Sequence, residues 1–298
     1  MEQISHGGIK WTYVKDPTKE DIGYIADNFN VHPLIIKELK HPTRHPKINI
    51  HEEYTYLVLR FPEHENGEIV TTEVDFLITK DELITTQYQT LEVLDEIFKY
   101  VNKNPEEYLE KGVGFLTYQI LQGLSDKITP IIDQISNKID KMEHRIYSEK
   151  GKELLHDISI IRRDSNDFLS IIKPNNDVLE GAEIRMTEMF GKELEPYFNH
   201  LRTTYHRLTR VAETHTTTLQ MLHETNEAMV ANDLSKILKL LTIFSVIVFP
   251  LTLFAGIWGM NTANMPLVGH PYDFWIVLIF MAIATFLMLI IFKLKKWL

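Results

Sequence analysis

Near the C-terminal end, small and hydroxyl side chains recur on an otherwise apolar stretch at Ser235, Thr242, Ser245, Thr252, Gly256 and Gly259. The successive gaps of 7, 3, 7, 4 and 3 residues keep them on one helical face, at a mean period near 3.5. A face of hydroxyls and glycines calls for protein or water opposite it, not lipid. Close helix packing uses such residues, because they let backbones approach; a wet path for a polar solute uses them too. Phe249 lies on the same face between Ser245 and Thr252, where an aromatic ring would narrow a path rather than fill a dry interface. Thirteen histidines raise the question of zinc, but His200, His206, His215 and His223 do not fall at i, i+4 on one face. They read as solvated or packed helix residues. With no Gly-x-x-x-x-Gly-Lys-Ser/Thr loop, no His-Glu-x-x-His helix and no cysteine, the chain is not expected to be an enzyme, and neither a disulfide framework nor a thiolate metal site is available.

The elements that must carry this face are long. Ile237 to Trp258 is twenty-two residues with one lysine, and Phe274 to Phe292 is nineteen residues without a charge. Each can cross a hydrocarbon core of about 30 Å at about 1.5 Å per residue. The link from Gly259 to Asp273 has no lysine or arginine, whereas Lys236 and Lys239 stand at the start of the first span and Lys293, Lys295 and Lys296 follow the second. The positive-inside rule then puts both termini in the cytosol and the link outside. The same lysines could form a basic collar at the cytosolic mouth, or serve only as topology signals and headgroup contacts.

Averaged composition hides these spans: the 298 residues are 44% apolar and 24% charged. The net charge of -10 argues against a nucleic-acid surface. Met1 to His6 lacks a basic stretch followed by an apolar run, so no cleavable signal is expected. Ahead of the spans, strand-like runs at Tyr54 to Phe61 and Glu73 to Ile78 alternate with helical stretches near Thr18 to Phe29 and Leu91 to Val101. Glu65-Asn66-Gly67-Glu68 reads as the hairpin turn between those strands. Farther on, Ile128, Ile132, Ile135, Ile139, Met142 and Ile146 follow 4-3-4-3-4 steps, the heptad seam of a long packed helix. A second helix near Lys152 to Ile172 is expected to stop at Lys173-Pro174. After Pro196, neither proline nor glycine intervenes until Pro250, so one helix is expected from about Tyr197 to Trp258. The organisation read from this pattern is an α+β cytosolic domain over 1–110, a helical stalk over 111–236, spans over 237–258 and 274–292, an external loop over 259–273 and a basic tail over 293–298.

Pro250-Leu251-Thr252, then Gly256-Ile257-Trp258-Gly259-Met260-Asn261 and Met265-Pro266, followed by a second span and Lys295-Lys296-Trp297-Leu298, resemble the CorA family of magnesium and cobalt transporters. The close resemblance covers roughly residues 232–298; the soluble part is similar in layout. It implies a funnel-shaped homopentamer in the plasma membrane, with the first span lining a pore and Mg2+ both as cargo and as a cytosolic regulator, and no organic cofactor. By position, Gly259, Met260 and Asn261 would form the outer selectivity site, and Ser235, Leu238, Leu241, Thr242, Ser245, Phe249, Thr252 and Gly256 would line or adjoin the pore. Phe249 stands where a methionine would be, and Ser235 where an asparagine would be. The acids often found after the tripeptide are absent, since Thr262, Ala263 and Asn264 are neutral and Asp273 is the loop's one acid.

A neutral amide suits such a site. Mg2+ prefers six oxygens and sheds water reluctantly, so Asn261 would act on the outer shell, accepting hydrogen bonds from coordinated water. A divalent ion entering a negative-inside cell gains about 4.6 kcal/mol per 100 mV, from about 2.3 per charge. That supports roughly a thousandfold concentration ratio, so no separate energy-coupling motif is needed. Two other functions fit the same sequence: a zinc transporter of the related ZntB type, and a non-conducting membrane-anchored metal sensor or scaffold. The residues do not rank Mg2+, Co2+, Ni2+ and Zn2+.

Overall fold

The computed structural model describes residues 1–43, 45–65, 67–147, 152–260, 262, 266, 269 and 271–297. Residues 1–223 and 224–298 are separate compact units.

The first unit is built on a six-stranded sheet: β1 (Glu2–His6), β2 (Ile9–Lys15), β3 (Lys47–Ile50), β4 (Thr55–Glu65), β5 (Glu68–Ile78) and β6 (Glu82–Gln87). The spatial order is β1-β2-β6-β5-β4-β3. β3 to β6 form an antiparallel meander, and β2 joins it by pairing parallel to β6. The near-continuous apolar run of β4 follows from burial on both faces. Leu57, Leu59 and Phe61 enter a large core shared with Trp11, Phe76 and the later helices, whereas Tyr56 and Val58 enter a smaller core on the opposite face.

That smaller core lies under α1 (Lys19–Asn28) and α2 (Pro33–Glu38), which supply Ile25 and Ile35. Thr18 caps α1 in a reciprocal box: Asp21 N donates to Thr18 Oγ1 at 3.2 Å, and Thr18 N donates to Asp21 Oδ2 at 2.9 Å. The β4–β5 hairpin closes with Glu65 opposite Glu68 and Gly67 at φ +85°, as the Asn-Gly signal requires; Asn66 itself lies outside the described residues.

The other face carries α3 (Glu92–Lys103), α4 (Pro105–Leu109) and α5 (Val113–Arg145). All six residues of the expected seam, Ile128 through Ile146, are buried. α6 (Lys152–Ile172) stops just before Lys173-Pro174, as the proline dictates. Then come α7 (Asn175–Phe190), a 3-10 turn (Lys192–Leu194) and α8 (Glu195–Trp258), a single helix of 64 residues. The large core continues through Phe198, Leu201, Tyr205, Leu208 and Leu219 of α8.

α7 was not apparent in the sequence. It is fastened by contacts remote in sequence: the Asn175 side chain accepts from Arg60 N at 3.2 Å and donates to Arg60 O at 2.7 Å, and Arg185 donates to His51 O at 2.6 Å. Such tertiary bonds leave no local periodicity to read.

Candidate ion pathway

In the second unit, the C-terminal part of α8 and α9 (Asp273–Leu294) are both long and apolar enough to cross a membrane. They are not core helices of a soluble domain. Phe249, Leu253, Phe274, Phe286 and Leu287 are each more than half exposed, and among the described residues of 237–297 only Ile243 and Phe292 are buried. Apolar side chains facing outward all round fit a hydrocarbon solvent.

The two helices meet along one side of α8. Phe254 packs edge-on against Phe280 with ring centroids 5.8 Å apart, and Trp258 lies beside Phe254 at 5.8 Å. With Ile276, Val277 and Met281 these residues line an apolar cleft. At the other end, Lys239 Nζ donates to Lys296 O at 3.2 Å. The side facing α9 thus runs through Ile243, Phe254 and Trp258.

At about 100° per residue, Ser245, Phe249, Thr252 and Gly256 lie roughly opposite that side. The small-residue face therefore looks away from the helix's partner in its own chain. Ser235, Leu238, Leu241, Thr242, Phe249, Thr252 and Gly256 are exposed, and Ser245 is half-buried. A Cβ added at Gly256 would meet no atom within 4 Å, so nothing in the same chain calls for a glycine there.

The hydroxyls on this face are oriented by the helix itself. Thr242 Oγ1 donates to Leu238 O at 2.8 Å, and Thr252 Oγ1 donates to Val248 O at 2.9 Å. Each proton is turned back onto the preceding turn. The oxygen lone pairs remain as acceptors, the polarity that suits water bound to a cation.

α8 ends at the tripeptide. Gly259 N donates to Ala255 O at 2.9 Å and Met260 N to Ile257 O at 3.2 Å, so the glycine closes the last turn. A Cβ on Gly259 would stand 3.0 Å from Ala255 O, which favours glycine at this point. Met260 is exposed. Asn261 lies outside the described residues, as do Ala263, Asn264, Met265 and Leu298.

The expected basic collar is not a uniform set. Lys236 is paired with Asp233 Oδ1 at 3.0 Å, Lys239 is bound to the Lys296 carbonyl, and Lys293, Lys295 and Lys296 are exposed after the second span. No group of three or more His, Cys, Asp or Glu is arranged to hold a metal among the described residues. Of the four helix histidines, His215 is buried, 3.0 Å from Ser136 Oγ, and its burial lowers its pKa; His200 is exposed, and His206 and His223 are half-buried.

The described chain also contains a polar centre that the sequence reading passed over. Asp75 is buried on the α1/α2 side of the sheet and accepts bonds of 2.7 Å from both Tyr56 and Tyr88. Its signal was the Glu73-Val74-Asp75 alternation, which places two acids on one face of a strand otherwise facing a core.

The profile of the family described as CorA-like Mg2+ transporter protein matches residues 6–296. The cobalt/magnesium transport protein CorA of Thermotoga maritima is 25% identical over 276 residues, covering 92% of this chain and 79% of that protein. The complete structure of the CorA magnesium transporter from Methanocaldococcus jannaschii superposes with a TM-score of 0.85 at 20% identity, covering 100% of this chain and 95% of the other. The cytoplasmic domain of ZntB from Vibrio parahaemolyticus matches with a TM-score of 0.65 at 15% identity, over 75% of this chain and 88% of that one. The sheet domain, the long helix and the two apolar C-terminal helices thus share the fold of a full-length CorA, and the chain belongs to the CorA-like Mg2+ transporter family.

Proposed function

We propose that the protein conducts divalent cations, Mg2+ first and Co2+ and Ni2+ with it, down the membrane potential through a pore lined by the small-residue face of α8. The observation that carries this reading is the direction of that face: it turns away from α9 and ends at Gly259-Met260. One chain cannot enclose a path with one face, so the pore requires copies of the chain around an axis. A homopentamer is the assembly the family resemblance implies.

In this arrangement Thr242 and Thr252 offer oxygen lone pairs to the water shell of the ion, while a ring of Asn261 amides receives the hydrated ion at the outer mouth. Hydrogen bonds to coordinated water hold the ion more weakly than direct ligation, and weak binding permits fast exit. The lysine distribution supports cytosolic termini, with the 259–273 loop outside. Cytosolic Mg2+ acts as a feedback regulator on the soluble unit.

The test is flux of Mg2+, Co2+, Ni2+ and Zn2+ into liposomes holding the purified protein, with and without a pH gradient. Uptake of Mg2+ driven by potential alone is expected, and Asn261→Ala should abolish it with assembly intact. Flux that requires a pH gradient and favours Zn2+ would instead assign the ZntB-type activity. Absence of any flux would leave a membrane-anchored scaffold.

A further inference from the structure

Strand β5 presents Val74, Phe76 and Ile78 to the large core, so Glu73, Asp75 and Leu77 alternate onto the α1/α2 side. There Asp75 occupies a position where its neighbours are apolar: it pairs with Val58 on β4, beside Tyr56 and Leu77. Both residues are almost fully buried, Asp75 at 1% exposure and Glu73 at 6%. The two tyrosine hydroxyls converge on Asp75 Oδ2, while Oδ1 is buried without a hydrogen-bond partner. Glu73 stands two residues from Asp75 on the same face of β5, so the two carboxyls are neighbours in one buried layer. Two ionised carboxylates cannot bond to one another, since neither has a donor.

Glu73 has a second attachment. Thr43 N donates to Glu73 Oε1 at 2.5 Å and Thr43 Oγ1 to Oε2 at 3.3 Å. Thr43 belongs to the connection between α2 and β3, so this carboxyl ties the connection to the sheet. We propose that Asp75 and Glu73 share one proton, and that this proton is a pH-sensitive latch holding the Thr43 connection against the sheet. Loss of the proton to solvent leaves two negative charges side by side in a dry site. Glu73, the less buried of the two, then moves away and takes Thr43 with it.

The surroundings are consistent with a neutral-range device. Burial, joined by the neighbouring Glu73 charge, raises the Asp75 pKa to about 7 against the bonds from Tyr56 and Tyr88, which favour the charged form. Burial also raises the Glu73 pKa, opposed by the Thr43 bonds and the charge of Arg60. The groups facing the pair are Tyr56 and Arg60 on β4, Tyr88 after β6, Lys47 on β3 and Glu38 on α2; Lys47 Nζ is held 2.5 Å from Glu38 Oε2. A folded-state pKa raised above the ordinary 3.8 adds stability that is complete below about pH 4 and lost as the pH rises through about 7.

The experiment uses the full chain in detergent, followed by infrared spectroscopy and hydrogen exchange from about pH 6 to about pH 9. The wild type should show a protonated-carboxyl band that disappears across this range; it should be absent from Asp75→Asn and, without the neighbouring charge, disappear at lower pH in Glu73→Gln. After correction for intrinsic exchange, protection of the Thr43 amide should fall roughly tenfold in the wild type, the ratio equivalent to one pKa unit. It should stay level in Asp75→Asn. Should Asp75→Asn fail to assemble, Glu73→Gln and the wild-type band decide alone. A wild type without the band at pH 6, a band retained in Asp75→Asn, a band unshifted in Glu73→Gln, or Thr43 protection that does not change with pH would overturn the latch. So would a protection step set by Mg2+ against chelator rather than by pH, which would put a cation between the carboxyls in place of the proton.

Discussion

Residues 1–223 and 224–298 use apolar side chains in opposite ways. In the first unit Trp11, Phe61, Phe76, Phe168 and Phe198 are at most 2% exposed; in the second Phe249, Phe274, Phe280 and Phe286 are all more than half exposed. The chemistry of the side chains is the same, so the difference lies in the solvent each surface is matched to. Where water surrounds the protein, burial of apolar area drives packing at about 25 cal/mol per Å2. Where lipid surrounds it, helices gain little by hiding leucines from tails equally apolar, and association falls to shape, small residues and polar contacts. That is the setting in which Gly256 and Thr252 acquire importance although both are exposed within one chain.

The largest separation between the two regimes is expected from one substitution made twice. Phe198 lies in the large core, with its ring 6.3 Å from that of Tyr118. Phe198→Ala should cost about 3–5 kcal/mol by loss of burial plus the cavity left behind. Phe286 is 65% exposed, and Phe286→Ala in a bilayer should stay within about 0.5 kcal/mol, as for a surface residue. Denaturant unfolding of the soluble unit and assembly of the reconstituted protein report the two effects. Equal losses would show that Phe286 meets protein, not lipid.

How far the sequence disclosed the molecule follows the same division. The spans announce themselves by composition and length, which is why two long apolar helices and the continuous α8 could be read directly. The seam on α5 is a local pattern and was legible too. α7 was not, because its anchor is an asparagine pairing with Arg60, 115 positions away. The Asp75 centre was also missed: two acids alternating on one face of a strand are unremarkable until Tyr56 and Tyr88 are brought onto Asp75. Which way the small-residue face points likewise depended on finding α9 on the other side of the helix.

A change of intermediate size is expected at Phe249, the one bulky aromatic on that face and 73% exposed in the single chain. As a ring around an axis it would expel water from a narrow segment and stop hydrated ions until the helices part. Phe249→Gly should then raise Mg2+ flux roughly tenfold, about 1.4 kcal/mol in the barrier, and weaken inhibition by internal Mg2+. If the residue only packs between neighbouring copies, the variant will give a less stable oligomer with unchanged or lower flux. A well-assembled variant whose inhibition is unaltered would move the constriction to Leu241 or Leu238.

The smallest effect concerns a site where water, rather than lipid, sets the terms. Thr18 and Asp21 together satisfy two backbone groups at the start of α1, Thr18 receiving the Asp21 amide while Asp21 receives the Thr18 amide, and that helix covers the smaller core through Ile25. Thr18→Ala removes the side-chain acceptor at the N-cap and should cost about 1 kcal/mol. The loss should be local, with faster hydrogen exchange in the first turn of α1. The carboxyl of Asp21 is held below the usual range because the bonds from Thr18 outweigh its partial burial. Removing the Thr18 hydroxyl should therefore raise that pKa and shift part of the helix's acid sensitivity to higher pH. Because the cap serves only the first unit, Mg2+ flux through the second should not change; a loss of flux in this variant would mean that the two regions are coupled through the α1 layer.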